Sequence, residues 1–336
     1  MKQITIAICN YNYERYLGAA IDSALAQDYP ATQVIVIDDG STDGSRALMD
    51  SYGNRILSVC KENGGQVSAY NHAIGVIDTE FVIFLDSDDV LYPGAASEVM
   101  KLFENGAWSK VQFRLDVMDG DGILAGASVP NSEPPADCGR LLRGGWLYPS
   151  PPASGNAYRV SSLRKIFPVP EEGVNRYGAD FYAIYGVALT GPIANVPKSL
   201  GGYRVHNAGS ETVSFANSEQ LTKAPRAFNM RWAILRNIAR ERLDIELPPV
   251  FHDFSHEKAT FCTSVYRARL LSRWHWMLHD SRNYLHTIVA NPFWSMKKKL
   301  GTLVLSSLCL VPYSPLSDFA VRYIANPLAR RRAAGR

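Results

Sequence analysis

Four short apolar runs, each followed by a helix-forming stretch, fill the first hundred residues and leave few folds open. "ITIAIC" (residues 4–9) is a β-branched run of strand length, and "YLGAAIDSALAQ" after it repeats its apolar residues at helical spacing. "QVIVID" (33–38) precedes the turn-rich "DGSTDGS" and the helix-forming "RALMDSY". "RILSVC" (55–60) leads through "KENGGQ" into "VSAYNHAIGVI", and "EFVIFLD" (80–86) closes the series. Strands that alternate with helices pair in parallel through right-handed crossovers, because a helix-long connection returns the chain to the same edge of the sheet. The expected fold class is α/β: a doubly wound, mostly parallel sheet with flanking helices.

In such sheets ligands bind beyond the carboxyl ends of the strands. The polar clusters "CNYN", "DDGSTD", "ENGGQ" and "DSDD" all fall at such ends. "DSDD" places Asp86, Asp88 and Asp89 within four positions, with no basic residue beside them in sequence. Hard oxygen ligands this close suit Mg²⁺ or Mn²⁺, which fills the rest of its shell with water and substrate phosphates. The alternative is that Asp88 or Asp89 caps a helix begun by "DDVLYPGAASEVM". Asp38 and Asp39 also follow a strand. There a carboxylate can accept a hydrogen bond from a nucleobase N–H or a ribose hydroxyl, while Ser41 and Asp43 read better as turn and cap residues. Tyr11 is either a core residue or a platform on which a base stacks. Gly64 and Gly65 before a helix allow close backbone approach to an anion, or form an ordinary turn. Neither GxxxxGK[ST] nor GxGxxG occurs, so P-loop NTPase and dinucleotide-binding dehydrogenase readings lose their main support.

From about 105 to 175 the pattern loosens. "DGDGI" predicts a hairpin turn, and the Pro- and Gly-rich stretch 130–156 predicts long loops. Helical periodicity returns at "ADFYAIYGVAL", a strand is expected at "LGGYRVH", and the chain reads as mostly helical beyond 218. Charge divides along the same line. Residues 1–222 hold 16 Lys/Arg against 25 Asp/Glu, a net of −9, and residues 223–336 hold 19 against 7, a net of +12. A basic, aromatic-flanked helical tail predicts contact with an anionic membrane surface, and a helical bundle whose apolar stripe packs on the preceding α/β domain is the alternative. Trp274, Trp276 and Trp294 beside basic residues resemble no RNA- or DNA-binding module, so no nucleic-acid partner is expected. His275 and His279, and His252 and His256, are spaced four apart on expected helices, but no third ligand accompanies them and packing is the expected role. Five scattered cysteines without a CxxC pair point to a reducing compartment. No apolar run reaches the roughly 18 residues that span a bilayer, and the opening "MKQITIAICNYN" reads as a strand, so a cytoplasmic or peripheral protein is expected.

Taken in order, "CNYNYERYLGAAIDSALAQDYP", "VIVIDDGSTDGS", "KENGGQVSAYNHAI" and "FLDSDDVL" resemble the successive signatures of the family 2 glycosyltransferases of GT-A fold, of the bacterial surface-polysaccharide type. The resemblance is close over the first hundred residues and loose to about 210. It implies transfer of a sugar from a nucleotide diphosphate, with UDP favoured, to a saccharide or lipid-linked acceptor hydroxyl with inversion, using Mg²⁺ or Mn²⁺. It implies a nucleotide-sugar half at 1–104, an acceptor half at 105–217 and a helical extension at 218–336. Carried over by residue, Tyr11 stacks on the base and Asp39 bonds it, with Asn12, Gly64, Gly65 and Asn71 also on the donor. Asp86 lies near ribose and metal, and Asp88 binds the metal. "RYGADFYAIY" resembles the general-base segment, placing that role on Asp180, and "GGYRVHNAGS" places His206 at the metal or diphosphate. "PPASGNAYRV" resembles a stretch that shapes the acceptor side. Cys9 and Tyr70 depart from the pattern, Tyr70 standing where an arginine often meets the diphosphate, which leaves that charge to the metal, His206 and the Gly64–Gly65 amides, or to a contribution from Lys61 or Arg204. A nucleotidyltransferase, or a non-catalytic nucleotide-sugar-binding protein of the same fold, is the alternative reading.

Overall fold

The computed structural model of the chain describes residues 1–171, 173–206, 218–265, 268–311 and 314–325. Strand β1 (Ile4–Asn10) is followed by helix α1 (Glu14–Leu25), β2 (Thr32–Asp38), α2 (Ser45–Ser51), β3 (Leu57–Cys60), α3 (Gln66–Val76) and β4 (Phe81–Asp86). These strands lie in the order β3-β2-β1-β4 and are all parallel, as helical crossovers require. The register sets Asn10 beside Asp38 and Cys9 beside Asp86, so the ends of β1, β2 and β4 share one edge. β1 and β4 are buried almost throughout, which is why they read as unbroken apolar runs. α1 places Leu17, Ala20, Ile21 and Ala24, three and four residues apart, in the same core.

The chain continues through β5 (Val90–Leu91), α4 (Ala95–Asn105), β6 (Lys110–Met118), β7 (Leu124–Val129), α5 (Cys138–Arg143), β8 (Asn156–Arg159), α6 (Val160–Ile166), α7 (Ala179–Phe181) and β9 (Ile193–Arg204). The sheet extends as β4-β8-β6-β9-β5, with β7 on β6, and becomes mixed. β8 runs antiparallel to both β4 and β6, whereas β9 is parallel to β6. "DGDGI" does close the β6–β7 hairpin, with the Asp119 amide donating to the Ile123 carbonyl at 3.0 Å. The expectation of loops over 130–156 needs correction, because α5 lies inside that stretch and β8 begins at its end. β8 has only four residues behind a proline pair, too few to show alternation, yet it fills the centre of the sheet. α7 passes directly into a π-helical turn, Tyr182–Gly186.

Lys110 opens β6 fully buried. Its ammonium has Ser150 Oγ at 3.2 Å and the Tyr148 ring at 5.1 Å, and burial lowers its pKa from 10.5 to about 7. A lysine depressed in the folded state takes up its proton more readily when unfolded. Its cost is therefore absent above 10.5, grows as pH falls, and is complete below about 7. Lys110→Met keeps the volume and removes the charge. Chemical denaturation should show the variant more stable by a few kcal/mol at pH 7, with the gain fading toward pH 10.

The C-terminal helices are α8 (Ser218–Leu243), α9 (Phe254–Val265), α10 (Leu270–His279), α11 (Arg282–Val289), α12 (Met296–Leu308) and α13 (Ser314–Ala325). Residues 1–208 with 233–249 form one compact unit, and the described residues of 209–232 and 250–336 form a second. The second has its own core of Phe261, Val265, Tyr284, Ile288, Val321 and Ile324, with the Phe261 and Tyr284 rings stacked at 4.4 Å. The His252–His256 pair is not on one helix. His252 precedes α9, and its ring meets His286 at 4.5 Å. The basic cluster at 330–332 lies outside the described residues. Among the described residues no helix is long and apolar enough to cross a membrane.

Candidate active site

The carboxyl edge of β1 and β2 is built on buried hydrogen bonds. Asn10 donates from Nδ2 to Asp38 Oδ1 and to Ser41 Oγ, both at 3.1 Å. Asp38 also accepts from the Ser41 amide and from Arg46 Nε, each at 3.0 Å. Burial raises the Asp38 pKa, but the bonds from Ser41, Arg46 and Asn10 outweigh it and hold the carboxyl below its usual value. Asp38 is thus committed to holding the loop. Asn12, at φ +56°, donates its amide to Ser41 Oγ at 2.9 Å and accepts from the Thr42 amide at 2.8 Å, tying the two loops together. Tyr11 between them is 46% exposed, open for a planar ligand and not in the core. Asp43 caps locally, accepting from the Ser45 and Glu14 amides at 3.0 Å.

Asp39 accepts from Lys61 Nζ at 2.6 Å, from the Gly64 amide at 3.0 Å and from the Gly65 amide at 2.6 Å. The expectation that Gly64 and Gly65 offer their amides to an anion is therefore corrected: both are spent on Asp39. Their role is to aim that carboxylate. Three of its roughly four acceptor positions are filled. Gly65 sits at φ +91°, and a Cβ there would lie 2.6 Å from the Arg176 carbonyl oxygen. Gly65→Ala should lower stability by about 1–3 kcal/mol in thermal denaturation, because the strain cannot relax without moving backbone.

At the end of β4 the three aspartates part company. Asp89 is held within the chain, accepting from Ser154 Oγ at 2.6 Å and from the Arg204 amide at 2.8 Å. Burial and the Asp88 charge push its pKa up to about 7 against those bonds. It does not cap α4, which begins six residues later. Asp88 turns its Oδ2 to His206 Nε2 at 2.7 Å, and its carbonyl accepts from Arg204 Nε at 2.7 Å. Asp86 donates its amide to Ser154 Oγ at 3.0 Å. Its carboxyl is raised well above the usual range by burial first, then by the charges of Asp89, Asp88 and Asp180. Those charges bring Asp180 into the same electrostatic cluster.

Asp180 stands in the first turn of α7, after Gly178 at φ +85°. Gln66 Oε1 accepts from the Gly178 and Ala179 amides at 2.7 and 3.2 Å and fixes the start of that helix. Nothing local in the sequence points to Gln66, because its partners lie more than a hundred residues away. The Ser154 turn is visible in "PPASGN", but its bond to Asp89 is not.

The expected donor residue Asn71 is committed elsewhere. Its amide donates to the Val169 carbonyl at 2.8 Å and to Glu171 at 2.7 Å, and its oxygen accepts from the Val169 amide at 2.8 Å. It braces the 169–171 segment. Tyr70 is buried, stacked on Phe84 with centroids 4.0 Å apart. Neither substitute cation is available: Lys61 is on Asp39, and Arg204 also donates to the Asp119 and Gly120 carbonyls. Arg176 is exposed beside the Gly65 turn, where its guanidinium meets the neutral oxygens of Asn63.

His206 lies 5.9 and 5.3 Å from the Tyr13 and Tyr16 rings, and an open cleft of about 530 Å³ runs past it, lined by Asn12, Glu14, Arg15 and Asp43 as well. A cleft of about 690 Å³ elsewhere, along Thr32–Val34 and Asn54–Leu57, has no carboxylate, histidine or cysteine in its wall. Among the described residues no three His, Cys, Asp or Glu side chains converge to hold an ion alone. Asp88 with His206, and Asp86 behind them, still fit a Mg²⁺ or Mn²⁺ that takes most of its shell from phosphate and water. The carboxylates of Asp89, Asp88 and Asp180 that press on Asp86 fit a cation there.

The family model for "Glycosyl transferase family 2" matches residues 5–167. An uncharacterized glycosyltransferase of Nostoc sp. is 34% identical over 235 residues, covering 68% of this chain and 73% of the relative. S. aureus TarS 1–349 in complex with UDP-GlcNAc superposes with a TM-score of 0.54 at 18% identity, covering 98% of this chain and 92% of that one. Mannosyltransferase PcManGT from Pyrobaculum calidifontis, in complex with GDP-Man and Mn²⁺, gives 0.51 at 16% identity over 99% and 87%. At those identities the structures speak for the fold, which is GT-A. The sequence match, the sheet order and the carboxylates at its edge agree: this chain belongs to glycosyltransferase family 2.

Proposed function

We propose that the enzyme is an inverting, metal-assisted transferase that moves a sugar from a UDP-sugar to a hydroxyl of a saccharide or lipid-linked acceptor in surface-polysaccharide or glycolipid synthesis. The cluster of Asp86, Asp88, Asp180 and His206 at the end of β4 is the observation that carries this reading. Tyr11 offers an exposed face for the base, and the Asp39 carboxylate accepts its N–H. Asp88 and His206 hold Mg²⁺ or Mn²⁺, with Asp86 beside the ribose. When bound, that ion offsets the negative charge that grows on the departing diphosphate. Arg176, in reach of the Asp39 turn, supplies the cation that position 70 lacks. Asp180 accepts the acceptor hydroxyl proton while that oxygen bonds to the anomeric carbon opposite the breaking C–O bond, and the electron pair leaves with UDP. TarS and PcManGT, whose structures hold UDP-GlcNAc and GDP-Man with Mn²⁺, support a nucleotide-sugar donor. The basic helical unit works against an anionic membrane on the cytoplasmic side.

A panel of nucleotide sugars, screened by thermal shift with and without Mn²⁺, tests the donor. Saturation at about a hundred times Kd stabilises by roughly 2.7 kcal/mol, enough to read as a clear shift. Stabilisation by a UDP-sugar only in the presence of Mn²⁺ is expected. No shift with any nucleotide sugar would reject the reading.

A further inference from the structure

Helix α12 is apolar on both of its sides. Leu303, Leu305 and Leu308 pack on the core of their unit, and Ser306 is buried against the Tyr284 hydroxyl at 2.6 Å. Met296, Leu300 and Val304, four residues apart, are nevertheless 68%, 58% and 58% exposed. Gly301 between them has open space where a Cβ would stand. Val289, also exposed, lies beside Lys299, whose ammonium donates to the Val289 carbonyl at 2.8 Å. Lys297, next to Met296, is exposed, and Lys298, also exposed, holds its ammonium over the Trp294 ring at 4.2 Å.

We propose that α12 docks this unit on an anionic lipid surface, with Met296, Leu300 and Val304 in the boundary between headgroups and acyl chains, Lys297 beside them on lipid phosphates and the charge of Lys298 adding to the attraction. The proposal rests on, and gives residues to, the membrane-side reading above. A helix of 13 residues is about 20 Å long, short of a bilayer core of roughly 30 Å, so it lies in the plane of the interface. Apolar residues facing water in a row mark a surface that something covers. A second copy packed in parallel along α12 would bring Lys297, Lys298 and Lys299 toward their own copies. Lipid phosphates complement them, and residues 250–336 of this unit, with 13 Lys/Arg against 4 Asp/Glu, carry a net charge of +9 that draws it to such a surface.

Flotation with vesicles of equal parts phosphatidylcholine and phosphatidylglycerol, against phosphatidylcholine alone, tests this with the full chain. The wild type should float with the mixed vesicles and be released by salt. Leu300→Glu with Val304→Glu, and separately Lys297→Gln with Lys298→Gln, should each lower the partition about tenfold or more. Unchanged melting and nucleotide binding in these exposed-site variants show that the fold survives. A wild type that ignores both vesicle types rejects the membrane reading itself. A wild type that binds while both variants bind equally well overturns the assignment to α12. Loss caused by Leu278→Glu on α10 alone moves the surface to that helix and overturns the assignment equally. A dimer that Val304→Glu dissolves, without lipid binding, names a second copy instead.

Discussion

Asp180→Asn should leave the nucleotide sugar bound and stop its transfer. Asparagine has nearly the same shape, so the α7 turn that Gln66 holds through the Gly178 and Ala179 amides has no reason to move. An amide cannot take up the acceptor proton, and general-base assistance of this kind contributes about 10²–10⁴-fold. The turnover number should fall by that amount, while donor affinity by calorimetry changes little. The substitution also removes one of the negative charges that press on Asp86. If transfer persists within a few-fold of wild type, another group is the base, and the alignment of the "RYGADFYAIY" segment with that role is wrong. If donor binding collapses as well, Asp180 is part of the donor pocket.

The first half of the sheet is legible in the sequence because its central strands are parallel and buried on both faces, so β1, β2 and β4 announce themselves as apolar runs. β8 is hidden for the opposite reason: four residues behind Pro151 and Pro152 carry no periodicity, and only their two antiparallel neighbours make them a strand. The candidate site divides in the same way. That carboxylates gather at one edge follows from the topology, so Asp39, Asp86 and Asp88 can be found from strand ends. Which of them is already satisfied cannot be. Asp38 ends on Asn10 of β1 as well as on its own turn, and Asp89 ends on Ser154 and the Arg204 amide. Asn71 and the Gly64–Gly65 amides, which look available in sequence, are used inside the chain. Hydrogen bonds between residues 22 to 115 positions apart leave no local pattern to read. The same limit hides the fate of Lys61 and Arg204, whose charge looks free until their partners are seen.

Asp88→Ala should separate stability from function more sharply than any other substitution in the cluster. Two links meet at this residue, and alanine cuts only one. The carbonyl that accepts from Arg204 Nε at 2.7 Å is backbone and stays, so the loop after β4 keeps its anchor. The bond from Oδ2 to His206 is lost, but both side chains are partly exposed and such a pair is worth about 1 kcal/mol or less. Against that loss, one of the charges that raise Asp86 and Asp89 disappears, which relieves repulsion when no ion is bound. The melting temperature without ligand should therefore hold or rise slightly. Donor binding should behave in the opposite way. A residue that merely supports a metal ligand costs about 10- to 100-fold in metal affinity when lost, and a direct ligand should cost at least that. Titration of UDP with and without Mn²⁺ should show a large difference for the wild type and almost none for the variant. Equal Mn²⁺ dependence in both would mean that the ion, if it binds, is held by Asp86 and His206 without Asp88. The negative charge at this sheet edge would then serve the acceptor side and not the diphosphate.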